Sequence, residues 1–170
     1  PRPDLTATLG TPNTCTACHA DKPASWAADA VTRWHGPVRK ERQAYGAAFH
    51  AARTGDTSAR ERLIRVATDR AMPAPARATA VDALAAWPSA DQEAAVASAL
   101  ADPDPLVRVA ALRGQSAQPA EVRWRRGAAG LSDPVRIVRQ AAATLLADQA
   151  NAARPAAELA ALTAATAELE

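Results

Sequence analysis

Large apolar side chains are scarce in this 170-residue chain. Aromatic residues make up 4% of it, with one phenylalanine and one tyrosine, and there is one methionine. Alanine is the commonest residue, and small side chains cannot fill a wide core, although they let helices approach each other closely. Valine, isoleucine and threonine form no alternating runs, so strands have little support. The composition predicts an all-helical protein with a thin, elongated core.

The sequence also lacks a basic cluster and a long apolar run. Its formal net charge is +2, and the arginines are spread out without interleaved aromatics, which argues against nucleic-acid binding. No stretch of about 18 apolar residues is present, so no membrane span is expected. The chain begins at Pro1 without an initiator methionine or a signal peptide, which fits either removal of a leader or a place within a longer polypeptide.

The only two cysteines lie in Cys15-Thr16-Ala17-Cys18-His19, which is the C-x-x-C-H pattern of covalent haem attachment. Two thiols on one helical turn reach the two vinyl groups at one edge of a porphyrin, and the adjacent histidine supplies a nitrogen to the iron. The pattern predicts one covalent haem c on Cys15 and Cys18, with His19 as an axial ligand. Such haem is attached outside the cytoplasm, so a periplasmic or extracellular bacterial location is expected. Asn13 or Thr14 can cap the turn.

Three other interpretations use the same residues. A thioredoxin-like redox pair needs a preceding strand, and residues 5–10 are too short and isolated for one. A zinc site usually shows a second close pair of ligands, which the sequence does not contain. A disulfide between Cys15 and Cys18 would be strained and would leave His19 without a role.

An electron-transfer haem normally has a second axial ligand, and the candidates are His50, His35 and Met72. His50 is favoured because it lies within a predicted helix over residues 42–53, which would run back across the haem after the Gly36-Pro37 turn. His35 is the alternative, although the dipole at the end of its helix already accounts for its position. Met72 lies in a proline-rich loop, where methionine usually fills a gap.

The four tryptophans divide into two pairs. Trp26 and Trp34 share one face of a predicted helix over residues 24–34 with Ala30 and Val31, and we expect both to pack against the porphyrin. Trp87 and Trp124 lie further along the chain and are interpreted as core residues.

From about residue 56 the sequence repeats itself. Asp102, Arg108 and Ala111 match Asp133, Arg139 and Ala142 at a constant offset of 31, which also leads back to Arg77 and Ala80. A fixed period of this size is typical of stacked repeats. Each repeat is expected to consist of a helix, an Asp-Pro turn and a second helix. The aspartate is expected to cap the next helix, with the proline in its first turn. Each arginine is expected to reach an aspartate in its own or a neighbouring repeat.

The N-terminal part resembles a known group of proteins. The segments Pro1–Leu5, Gly10–Cys15, Trp26–Ala30 and Trp34–Gly36 are similar to bacterial multihaem c-type cytochromes that carry a HEAT or tetratricopeptide array after their haems, and residues 56–150 resemble short bacterial HEAT repeats. The resemblance implies that this chain corresponds to the last haem and the repeats of such a protein. In that group a tyrosine often stands at His35 and a histidine at His50, which favours His50. A histidine common near Ala44 is absent.

The expected architecture is an all-α chain with a haem-binding segment (1–55), a HEAT-like α-solenoid (56–150) and a C-terminal capping helix (151–170) with Leu159, Leu162 and Leu169 on one side. The expected function is electron transfer without enzymatic activity, the array docking a redox protein or other haems of a longer chain. The alternative is an interaction or assembly module, self-assembly included, in which the haem is structural. A five-coordinate enzyme or gas sensor is a third interpretation, against which the two spare histidines argue.

Overall fold

Every regular element is helical in the ranges that the computed structural model describes, which are residues 2–36, 45–150 and 153–169. The fold is therefore all-α, as the composition predicts. The α-helices are α1 (Pro3–Leu9), α2 (Cys15–Cys18), α3 (Ala24–His35), α4 (Tyr45–Thr54), α5 (Ala59–Thr68), α6 (Ala74–Ala83), α7 (Ala90–Ala99), α8 (Pro105–Arg113), α9 (Ala120–Gly127), α10 (Arg136–Leu146) and α11 (Ala156–Ala167). Short 3₁₀ helices occupy Leu84–Ala86, Ala128–Ser132 and Ala147–Gln149. None of the described helices is long and apolar enough to cross a bilayer.

The chain divides into two compact units, Pro1–Ala59 and Arg60–Glu170. In the first unit, α1 packs against both α3 and α4. The buried apolar residues of α3 and α4 are all alanines, namely Ala27, Ala30, Ala48 and Ala51. Because the side chain of alanine ends at Cβ, these buried residues allow a close approach of helices and add little volume to the core.

In the second unit, α6, α8 and α10 form one row of helices, in which α6 packs on α8 and α8 packs on α10. The residues that precede these helices are Pro73, Asp104 and Val135, so the helices begin at intervals of 31 residues. The matching alanines Ala80, Ala111 and Ala142 are each 0% exposed. The 31-residue period of the sequence is thus a period of the structure.

The three repeated arginines occupy equivalent positions. The Arg77 guanidinium donates to the Met72 carbonyl oxygen and to Asp102 Oδ1, at 2.7 and 2.8 Å. Arg108 donates in the same way to the carbonyl oxygen of Asp102, in the turn before its own helix, and with two nitrogens to the Asp133 carboxylate at 2.8 and 2.9 Å. Arg77 and Arg108 therefore each tie their own turn to the turn of the next repeat. We call this set of contacts the arginine ladder.

The final rung of the ladder has a different acceptor. Arg139 donates to the Asp133 carbonyl oxygen, as expected from the period, but its carboxylate partner is Glu168, at 2.9 Å. Glu168 follows directly after the end of α11, which packs against α10. Leu162 of α11 is buried and Leu159 is partly buried, whereas Leu169 lies beyond the helix and is exposed, so only two of the three leucines expected on one side face the core.

The Asp-Pro turns differ from the expectation that their aspartates cap the following helices. Asp102 Oδ1 accepts the N–H of Asp104, and Asp133 Oδ1 accepts the N–H of Val135, which makes each aspartate the first residue of an Asx turn. Each of these carboxylates also binds an arginine of the preceding repeat. This contact holds the aspartate in the turn, ahead of the residue that caps the following helix. Asp104 caps α8 instead, and Pro105 is the proline in its first turn.

Both ladder aspartates have pKa values below the ordinary range for the residue. Burial opposes the ionisation of Asp133, but hydrogen bonds from Arg108 and from the Val135 N–H outweigh it and lower its pKa. For Asp102, burial is likewise outweighed, by the Asp104 N–H and by Arg77. Because the folded pKa lies below the unfolded value of about 3.9, the ionised carboxylates stabilise the fold above that value, and their contribution is lost as the pH falls through the folded pKa.

Replacing Arg108 with methionine should lower the free energy of unfolding by about 2–4 kcal/mol at pH 7, since Asp133 would keep its charge without its partner. The two side chains are only 14% and 11% exposed, so water cannot replace the guanidinium fully. Urea unfolding at pH 7 and at pH 3 measures the effect, and the difference from the unchanged protein should shrink at pH 3. Arg125→Met, at an exposed position of α9, is the matched control and should cost only a few tenths of a kcal/mol. Equal losses for both variants would contradict a structural role for the ladder.

Candidate haem-binding site

The two cysteines lie on the single turn of α2. Both are free thiols, with Cys15 partly buried and Cys18 exposed. His19 follows at the end of the turn, where its N–H donates to the Cys15 carbonyl oxygen at 3.0 Å. The turn therefore presents two thiols and an imidazole from five consecutive residues, as covalent haem attachment requires.

Asn13 holds this turn in place. Its Oδ1 accepts the N–H groups of Cys15 and Thr16 at 3.0 and 3.2 Å, and its Nδ2 donates to the Thr6 hydroxyl of α1 at 2.9 Å. Thr14 takes the residue position before the helix but makes no capping hydrogen bond with its side chain. Of the two capping candidates, Asn13 therefore performs the role, and it also ties the motif to α1.

Helix α3 supplies an apolar wall opposite the motif. It begins after Pro23 and extends to His35, one residue beyond the expected end. The residues that face the motif lie at successive turns of one side of the helix and are Trp26, Ala27, Ala30, Val31 and Trp34. Between the two tryptophans, this wall carries only the smaller side chains of Ala27, Ala30 and Val31.

The motif and this wall enclose an open cavity of about 250 Å³. Cys15, Cys18 and His19 line one side, with Thr14, and the α3 residues line the other. The His19 ring contacts the Trp26 ring, with centroids 4.9 Å apart and planes tilted by 54°. Trp34 borders the cavity and is 73% exposed. The structure thus brings together five of the six predicted cofactor-binding residues.

These residues fit a covalent haem c. Both thiols are unpaired, they reach the same cavity, and the α3 residues that line its other side are apolar. In the described ranges, no group of three or more His, Cys, Asp or Glu side chains is arranged to hold a metal ion by itself. A porphyrin supplies four nitrogens of its own, so the chain needs to provide only the thioether bonds and the axial ligands.

The sixth predicted residue, His50, lies elsewhere in the first unit. It is partly buried on α4 and is not among the described residues that line the cavity. Gly46 lies one turn before His50 on the same face of α4. It is close to Leu5 of α1, because a side-chain Cβ added at Gly46 would lie 3.1 Å from Leu5 Cδ1. The start of the expected helix at residues 42–44, including Ala44, and Pro37 of the Gly36-Pro37 turn lie outside the described residues.

Neither of the other two ligand candidates is among the described residues that line the cavity. His35 is exposed and is the last residue of α3, one residue beyond the expected end of that helix. Met72 lies in the turn before α6, where its carbonyl oxygen accepts from Arg77. The second axial ligand therefore remains a prediction.

The two tryptophans of the second unit were interpreted as core residues. Trp124 is buried in the core, as expected, whereas Trp87 is only half-buried.

Comparison with known proteins finds no matching family model, and no curated protein or solved structure is significantly similar to the chain. The haem assignment therefore depends on the motif and its surroundings. Sequence reasoning missed one contributor, Ala27, although the spacing of Trp26, Ala27, Ala30, Val31 and Trp34 repeats every three to four residues and was sufficient to find it.

Replacing Asn13 with alanine should loosen the motif turn, because two N–H groups lose their acceptor and α1 loses its link to the motif. Loss of such a cap costs about 1 kcal/mol. Hydrogen exchange of the Cys15 and Thr16 amides should accelerate about fivefold or more. Thr14→Ala is the control and should leave both amides unchanged, since Thr14 makes no capping bond. Similar acceleration in both variants would show that Asn13 has no special role.

Proposed function

We propose that this chain is an electron-transfer domain of a c-type cytochrome, with one haem c bound covalently through Cys15 and Cys18 and ligated by His19. The observation that supports this most directly is the shared cavity: both thiols and the imidazole border the same apolar-walled space as Trp26 and Trp34. The bound haem supplies one-electron chemistry by cycling its iron between the ferric and ferrous states.

The residues of the chain have separate roles in this proposal. The two thiols fix one edge of the macrocycle, and Asn13 holds the turn that carries them. The apolar side of α3 excludes water from one porphyrin face, which influences the reduction potential through burial. Because Trp34 is largely exposed at the edge of the cavity, that edge is open to an approaching redox partner.

His50 is our proposed second axial ligand, with His35 as the alternative. His50 lies on a helix in the same compact unit as the motif, but outside the cavity lining. Ligation therefore requires the His50 side of α4 to approach the iron, which would couple the position of this helix to haem binding. Two histidine ligands would favour a lower reduction potential than a histidine and a methionine.

The second unit is proposed to be a docking scaffold of the HEAT type. The regular row of helices and the arginine ladder give it a repeating surface, and stacked repeats of this kind commonly bind other proteins. Its partner would be a redox protein or the other haems of a longer chain, in the bacterial periplasm or outside the cell. The alternative is an assembly module with a structural haem. This alternative is favoured by the second unit, which is compact and does not contain the Cys15–His19 motif.

Rapid electron exchange with a small redox carrier would support the first function. Partner binding that is equally strong after Cys15→Ala/Cys18→Ala substitution, together with slow electron exchange, would support the assembly module.

Replacing either Cys15 or Cys18 with alanine should leave at most one thioether, and replacing both should abolish covalent attachment. The chain is produced in a host that matures c-type cytochromes, and intact mass under denaturing conditions counts the bound haem. The unchanged chain should carry one haem. Haem that stays on the double variant through denaturing electrophoresis would overturn the proposal.

Replacing His50 with alanine should convert a low-spin ferric absorption spectrum to high-spin and let the reduced iron bind carbon monoxide. His35→Ala is the matched control, because His35 is exposed at the end of α3, and it should leave the spectrum nearly unchanged. The reverse result would assign the role to His35. Unchanged spectra for both variants would remove both histidines from the iron.

A further inference from the structure

We propose that the second unit contains a binding site for a small aliphatic carboxylate, separate from the haem site. The site is an open cavity of about 500 Å³, lined by residues of α8, α9 and α10 and of the turn after α8. Ligand pockets commonly measure about 300–1,000 Å³, so this space accommodates a compact organic molecule.

One wall of the cavity is apolar. Val109 and Leu145 are buried, Ala141 is partly buried between them, and Ile137 stands at the opening with 49% of its surface exposed. An exposed isoleucine in this place gains from contact with an alkyl chain, because that contact removes apolar surface from water. The wall therefore selects a ligand with an aliphatic part.

The charge of the cavity is positive. Two arginines line it, and none of the described lining residues is acidic. Arg123 is already neutralised, since it donates to the Asp148 carboxylate and to the Leu145 carbonyl oxygen. Arg113 is exposed and makes no ion pair within the described ranges of the chain. One uncompensated guanidinium therefore remains to bind an anion.

Ser116, which carries a hydroxyl, lines the same cavity three residues after Arg113. The Ser116 N–H donates to the Arg113 carbonyl oxygen at 3.0 Å, which places the two residues together at the end of α8. A carboxylate can accept from the Arg113 guanidinium and from the Ser116 hydroxyl, while its alkyl chain covers Ile137 and Ala141. A charge-assisted hydrogen bond of this kind is stronger than one between neutral groups.

The test uses the whole chain and three probes: hexanoate, acetate and hexylammonium. Titration followed by the methyl NMR signals of Ile137 and Ala141 reports on this cavity alone, so carboxylate binding at the haem iron does not interfere. Hexanoate should shift these signals and bind at least about tenfold more tightly than acetate, because its longer chain covers the apolar wall. Hexylammonium has the same chain with the opposite charge and should leave the signals in place.

Arg113→Gln should weaken hexanoate binding about tenfold or more, since the anion loses its only free cation. Arg125→Gln removes the same charge from an exposed position outside the cavity lining and should leave the affinity within about twofold. Both substitutions are at exposed positions, and urea unfolding verifies that the fold is retained. Equal effects of the two variants, equal binding of hexanoate and acetate, or shifts with hexylammonium would each overturn the proposal.

Discussion

Buried alanines lie at the helix contacts of both units, accompanied in the second unit by buried leucines and valines, and the rest of the structure depends on this packing. Ala80, Ala111 and Ala142 are completely buried at equivalent positions of successive helices. In the first unit, Ala27 and Ala30 are buried in α3 and also border the cavity beside the motif. A branched side chain in their place would crowd the neighbouring helix and reduce the space beside the motif. The small residues that make this core thin therefore also leave room for the cavity.

The arginine ladder supplies the order that small side chains alone do not provide. Alanine surfaces are smooth and pack in several registers with similar energy, whereas an arginine that donates to two turns accepts only one arrangement. Arg77 and Asp102 are almost completely buried, so a displaced register would leave two charges without partners. The ladder thereby selects one stacking of the repeats, and its aspartates also shape the turns through Asx hydrogen bonds.

Features that follow from composition and periodicity were predictable from the sequence, and the details of individual long-range contacts were not. The helical class follows from composition, whereas the face of α3, the equivalence of the three arginines and the pairing of Arg77 and Arg108 with aspartates of the next repeat follow from periodicity. The position of Asp102 before its helix does not, because an arginine 25 residues earlier binds the carboxylate. Glu168 was missed as the last acceptor since it lies 29 residues after Arg139 and not 25. The place of His50 depends on how α4 packs against α1, which its own helix does not encode.

The ladder also allows the array to grow by duplication. The 31-residue segment 103–133 contains Arg108 together with its acceptor Asp133. A tandem copy of this segment would bring its own guanidinium and its own carboxylate, and it would leave the contacts of Arg77 before it and of Arg139 after it unchanged. The ladder contacts of an inserted repeat would therefore be complete, whereas the Arg123 of the first copy would be separated from its partner Asp148. Duplication of this segment would therefore lengthen the array without breaking a contact of the ladder, in keeping with repeats that interact only with their neighbours.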